Sequence, residues 1–134
     1  MKMSDLNKVF LSGRLTKDPD IRYTPNGSEV ATFSIAVNRS FKAKDSEEWQ
    51  EETFFINIIA WNRLAEKVEK TFKKGMPVFV EGRLLIRSYE KDGVKKYVTE
   101  IIAIDARLLQ STNSNQGEAE EVSVEDTEPN VPFS

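Results

Sequence analysis

Cysteine and histidine are both absent from this chain. Their absence excludes disulfides, thiolate nucleophiles, the commonest metal ligands and the usual general base of a Ser or Cys hydrolase. Paired carboxylates remain available, with 22 Asp and Glu, but they are spread along polar segments and none sits in the apolar surroundings that tune an acid for catalysis. Neither a metal-binding carboxylate cluster nor the Gly-Lys-Ser/Thr of a phosphate-binding loop occurs. The expectation is a non-catalytic protein with no metal and no cofactor. A charged-then-apolar leader and an apolar run near 18 residues are also missing, so the expected location is cytoplasmic, with no membrane partner.

What is present is charge, and it is unevenly placed. The 134 residues allow one domain of ordinary size plus an appendage. All 19 Lys and Arg lie within residues 1–110, beside 16 acids, so that segment carries +3. Residues 111–134 carry six acids and no base, which brings the whole chain to -3. A mildly basic body is therefore expected over 1–110 and an acidic tail over 111–134. The tail is rich in Ser, Asn, Gln and Glu and cannot bury enough apolar surface to offset its ordering entropy, so disorder is expected there.

Within the body the hydrophobic pattern alternates at period two. Ala31, Phe33, Ile35 and Val37 alternate with Val30, Thr32, Ser34 and Ala36, as on a half-buried strand. Residues 53–61, TFFINIIAW, are apolar on both parities apart from Asn57, so this strand has something to cover on each face. In KVFLSGRL, Gly13 sits mid-strand and predicts a bulge or a sharp coil. DPDIRYTPNGS carries two turn signals, Asp18-Pro19 and Pro25-Asn26-Gly27. Residues 62–74 switch to helical spacing through Leu64, Ala65, Val68 and Phe72, with Asn62 as expected N-cap and Gly75 as expected C′ residue. Two long strands then flank Lys91-Asp92-Gly93, a tight-hairpin signal. Five curved antiparallel strands with one helix between the third and fourth is the order of the OB-fold barrel, and the expected class is all-β.

Several aromatics fall where a core has little need of them. Phe41 stands at the mouth of a long loop; Phe55 shares parity with Asn57 and Trp61, and Phe54 with Ile56 and Ile58, so one of these two faces is interior. Tyr89 shares parity with Arg83, Leu85 and Arg87. Rings interleaved with cations suit a single-stranded nucleic acid, whose bases stack on flat platforms while Lys and Arg meet the phosphates. The alternative is that the rings are core or subunit contacts. Trp49, in DSEEWQEE, is read as a loop anchor because the acids around it would repel phosphate.

The segments NKVFLSGRLTKDPDIRYTPNGSEVATFSIAVNRSF, AWNRLAE and GMPVFVEGRL, together with the PF-containing acidic end, closely resemble the bacterial-type single-stranded DNA-binding protein family. That resemblance implies an OB-fold homotetramer that coats single-stranded DNA in replication, recombination and repair, associated with the nucleoid. It places base-stacking on Phe41, Phe55, Trp61 and Tyr89, three of which differ in ring type from the Trp-rich best-known members. Arg39, Lys42, Arg63, Lys74, Arg83 and Arg87 are the phosphate candidates, and the strand around Asn7, Lys8 and Val9 would pair with its symmetry mate. An RNA-binding or cold-shock OB domain and a protein-assembly module are the competing readings.

The same resemblance makes the tail a docking peptide for DNA replication, recombination and repair enzymes. Val131, Pro132 and Phe133 would fill a small pocket, with Asp126 and Glu128 steering toward basic residues around it. Two departures mark this end: Asn130 dilutes the acids, and Ser134 follows Phe133, moving the terminal carboxylate by one residue, about 3.5 Å of chain. Deletion of residues 128–134 is expected to abolish capture of such enzymes while leaving DNA binding intact or slightly tighter. Pull-down and oligonucleotide titration of the truncated chain check this, and undiminished capture would remove the docking role.

Overall fold

The computed structural model describes residues 3–109. The expectations for Asp126, Glu128, Val131, Pro132 and Phe133 lie outside the described residues. Six strands and one helix follow in the order β1 (Val9–Leu15), β2 (Asp20–Tyr23), β3 (Glu29–Lys42), β4 (Trp49–Trp61), α1 (Asn62–Thr71), β5 (Pro77–Lys91) and β6 (Val94–Leu108). Sheet neighbours run β1-β5-β6-β4-β3, and a further β1–β3 pairing closes the ring into a five-stranded barrel. The sixth strand, β2, lies outside that ring, paired only to β3, in the segment where turn signals had hidden it. Counted by barrel strands, α1 falls between the third and the fourth, as in an OB fold.

The interior follows the period-two pattern. Ala31, Phe33 and Ile35 of β3 and Ile58 and Ala60 of β4 are buried, so the Phe54, Ile56 and Ile58 parity is the inner one. Helix α1 covers the barrel with Ala65, Val68 and Phe72, and the Phe72 ring meets Phe33 edge-on at 5.4 Å. Its ends differ from the expectation. Trp61 is the N-cap without a side-chain bond, and Asn62 instead takes φ 56° to turn strand into helix, a conformation Asn tolerates better than most residues. The helix stops at Thr71 with Phe72 as C-cap, and Gly75, at φ 87°, lies beyond it and donates its N–H to the Leu15 carbonyl at 2.8 Å.

Two backbone features close the barrel. Strand β1 pairs with β5 up to Arg14 and crosses to β3 at Arg14 and Leu15. At Gly13 the carbonyl oxygen of Ala36 occupies the space a Cβ would need, so this glycine permits the crossing rather than forming a bulge. The β5–β6 register shifts between Glu81 and Gly82, which pair with Asp105 and Ala103 and leave Ile104 of β6 as the bulged residue, and at Gly82 the Ile102 oxygen fills the Cβ position. One pairing is not antiparallel: β6 returns beside β4 in parallel through Asn57↔Glu100 to Ile59↔Ile102. Because those two strands run the same way, the hairpin arms β3–β4 and β5–β6 leave the barrel in the same direction. Lys91 and Val94 close the second arm over Asp92 and Gly93, both at positive φ, as a type I′ turn requires.

Substituting Gly82→Ala is expected to cost about 1–3 kcal/mol, the usual range for overpacking. Urea unfolding followed by circular dichroism checks it, and unchanged stability would mean that the β5–β6 bulge can move aside.

Candidate nucleic-acid interface

Residues opposite one another in a ladder point to the same side, so register identifies the outer face. Along β4 the outward residues are Phe55, Asn57, Ile59 and Trp61, with Ala36, Ser34, Thr32 and Val30 of β3 beside them. Glu100 and Ile102 of β6 continue the row from Asn57 and Ile59, and Leu85 and Arg83 of β5 extend it further. Arg87 and Tyr89 follow along β5 toward the tip of its arm, opposite Val98 and Lys96. One continuous outer surface thus holds Phe55, Trp61, Arg83, Arg87 and Tyr89. Phe55 is 66% exposed, and Trp61 and Tyr89 are 44% exposed. Tyr89 lies on the part of β5 that runs toward the hairpin tip, whereas Phe55 and Trp61 lie on the outer side of β4 across from the buried Ile58 and Ala60 parity.

Phe41 is placed differently. It pairs with Gln50, and Arg39 with Glu52, on the parity of Val37 and Phe54, which is the reverse of the β3–β4 arm. The Arg39 guanidinium lies 4.6 Å from the centre of the Phe41 ring and is also ion-paired to Glu52 at 3.0 Å. The structure therefore brings three of the four expected rings together and sets the fourth on the opposite face. The loop-anchor reading of Trp49 does not hold: it opens β4 opposite Lys42, 68% exposed. Tyr97, which the sequence did not single out, is 66% exposed and lies opposite Ser88, on the other side of the β5–β6 arm from Arg87 and Val98.

The cations divide by what they already hold. Arg87 makes a bidentate pair with Glu100, Nε to Oε1 and Nη2 to Oε2, each at 3.0 Å. Glu100 is 5% exposed, and a buried carboxylate needs such a partner. The Glu100 carboxylate, through its hydrogen bond and then its charge, holds the Arg87 guanidinium above its ordinary value. Arg87, expected to meet a phosphate, is thus already paired with a buried carboxylate, although 54% of its own side chain stays exposed. Arg83, Arg63 and Lys74 are exposed, and among the described residues none is held in an ion pair. Arg63, however, shares a polar hollow with Glu29 and Glu66, an unfavourable setting for a phosphate. Glu29 is itself pushed up, first by its hydrogen bond with Glu69, then by burial and by the charges of Glu69 and Glu66. Lys74 donates its backbone N–H to Asp18 Oδ1 at 2.8 Å, and that contact fixes the helix exit rather than its ammonium.

The expected subunit-contact residues are tied to their own chain. Asn7 mimics a ladder step, its Nδ2 donating to the Leu84 carbonyl and its Oδ1 accepting from the Leu84 N–H, both at 2.9 Å. Lys8 pairs with Glu81 at 3.0 Å and Val9 faces Gly82. Among the described residues the other edge of β1 over residues 9–13 has no strand beside it. On the outside of that strand Phe10 and Phe79 stack at 6.0 Å, bounding an apolar hollow of about 260 Å³ with Leu11, Ser12 and Leu109.

The model of the single-strand binding protein family matches residues 6–109. Single-stranded DNA-binding proteins of Bacillus cereus and Bacillus anthracis are each 50% identical over 109 residues. That match covers 81% of this chain and 62% of the length of those relatives. Among solved structures, a chain titled "Plasmodium falciparum SSB complex with ssDNA" superposes with a TM-score of 0.75 at 31% identity, over 82% of this chain and all of that one.

Replacing Arg87 by Ala leaves Glu100 buried without its partner and is expected to lower the thermal midpoint clearly. Arg22→Ala, whose pair with Asp20 is exposed on both sides, should leave it nearly unchanged. Equal effects in a melting comparison would refute a structural role for Arg87.

Proposed function

The chain belongs to the single-strand binding protein family, and from that membership and its outer face we propose that it binds and coats single-stranded DNA without catalysis and with little sequence preference. The observation that carries the reading is the row of uncovered rings on β4 and β5, Phe55, Trp61 and Tyr89, on one surface with the free guanidinium of Arg83. Bases in a single strand offer flat apolar faces to such rings, each stack being worth about 1–3 kcal/mol, and stacking tolerates any base. A duplex keeps its base faces stacked internally and gains little from the same surface. Phe41 serves a strand that passes behind the β3–β4 arm, together with Arg39.

Coating implies roles in DNA replication, recombination and repair, with the acidic end of the chain recruiting the enzymes of those processes. Assembly as a homotetramer fits two features of β1: its unpaired edge over residues 9–13 can add a strand from a second copy, and the Phe10–Phe79 stack offers an apolar surface for a further contact. Asn7, Lys8 and Val9 would then brace that edge from behind through their bonds to β5. No helix among the described residues is long and apolar enough to cross a membrane; a cytoplasmic, nucleoid-associated location is part of the proposal.

Titration with poly(dT) at several salt concentrations, with duplex of the same length as competitor, tests the reading. Affinity for the single strand should fall with a log–log slope near -0.7 per phosphate neutralised. Arg83→Ala should reduce the steepness by about 0.7, whereas Arg87→Ala should leave it unchanged in the folded protein. Equal affinity for duplex and single strand would sink the proposal.

A further inference from the structure

We infer that Trp49, with Lys42, forms an additional base-stacking station at the tip of the β3–β4 arm, a role that rests on the reading of this chain as a single-stranded DNA-binding protein. The register carries the inference. Trp49 has the same parity as Phe55 and Trp61, so β4 presents three aromatic rings on one outer face at a spacing of six residues, or about 20 Å between successive Cα positions. This is the face on which Phe41 is absent. Trp49 supplies on the shared surface the ring that Phe41, on the reverse of the arm, does not.

The surroundings of Trp49 match what a base and its phosphate need. The Lys42 ammonium lies 5.6 Å from the centre of the indole, within the range of a cation–π contact, and Lys42 is the direct ladder partner of Trp49. Cation and ring are thus held side by side on one face by backbone pairing. With 68% of the residue exposed, most of the indole remains available to a ligand. A structural role would bury it, since a Trp anchor contributes through the 150–250 Å² or so that it removes from water. Between Trp49 and Phe55 the same face carries Glu51, Thr53, Ser40 and Asn38; Thr53 Oγ1 donates to Asn38 Oδ1 at 2.5 Å. Glu51 and the neighbouring Asp45, Glu47 and Glu48 repel phosphate, so Lys42 is needed beside the ring for a strand to settle there.

The chain has two tryptophans, Trp49 and Trp61, which makes each separately observable. In Trp61→Phe the emission comes from Trp49, and in Trp49→Phe from Trp61. Both variants are expected to show quenching on titration with poly(dT). Trp49→Ala should bind poly(dT) about 5-fold more weakly or worse, Trp49→Phe should recover most of that loss, and both should melt like the unmodified chain. If Trp61 is quenched in Trp49→Phe but Trp49 stays unquenched in Trp61→Phe, and Trp49→Ala binds with undiminished affinity, the station at Trp49 is overturned and the DNA-binding reading stands. If neither tryptophan responds and the unmodified chain does not retain poly(dT), the DNA-binding reading falls and this inference with it.

Discussion

Closure of the barrel depends on backbone approaching backbone where no side chain can stand, at Gly13 against the Ala36 carbonyl and at Gly82 against the Ile102 carbonyl. The first lets β1 leave β5 and join β3; the second lies at the register shift where β6 carries its extra residue, Ile104. From that closure follow the parallel pairing of β4 with β6 and the common direction of the two long arms. Arms of 13 to 15 residues per strand outrun a core whose buried residues stop near Ile35, Ile58 and Ile101. Their distal halves are therefore two-faced ribbons in water, where Trp49 and Tyr89 stay uncovered, while Trp61 is exposed on the outer side of the barrel itself.

Charge placement refines what those ribbons can hold. The outer face contains a carboxylate, Glu100, in the middle of the row that joins β4 to β5, and Arg87 compensates it. Arg39 is similarly engaged with Glu52. A count of cations on the surface therefore overstates the number left unpaired, and among the described residues Arg83 and Lys42 are in no ion pair. Exposed ion pairs contribute little to stability, but they decide which guanidinium groups remain open to a ligand.

Much of this was legible in the sequence. Alternation in residues 30–37 identified the inner and outer sides of β3, because side-chain period in a strand is a local property. Asp92-Gly93 identified the hairpin for the same reason: positive φ at two successive positions selects residue type locally. The helix was found from Leu64, Val68 and Phe72, yet its end was misplaced, because Gly75 takes its left-handed turn to reach Leu15 of β1. The short strand β2 was hidden by the turn residues on either side of it, since four residues carry too little periodicity to stand out.

The sequence by itself determined the order of the five barrel strands and the helix, the alternation of β3, the absence of Cys and His chemistry and the basic body with its acidic end. All of these are written in single residues or short periods. Only the tertiary structure decided that Phe41 and Phe55 lie on opposite faces, that Trp49 joins Phe55 and Trp61, and that Arg87 is committed to Glu100. The physical reason is register: which residue stands opposite which is set by bulge, crossing and closure at positions remote in the chain, and a shift of one residue would reverse every face.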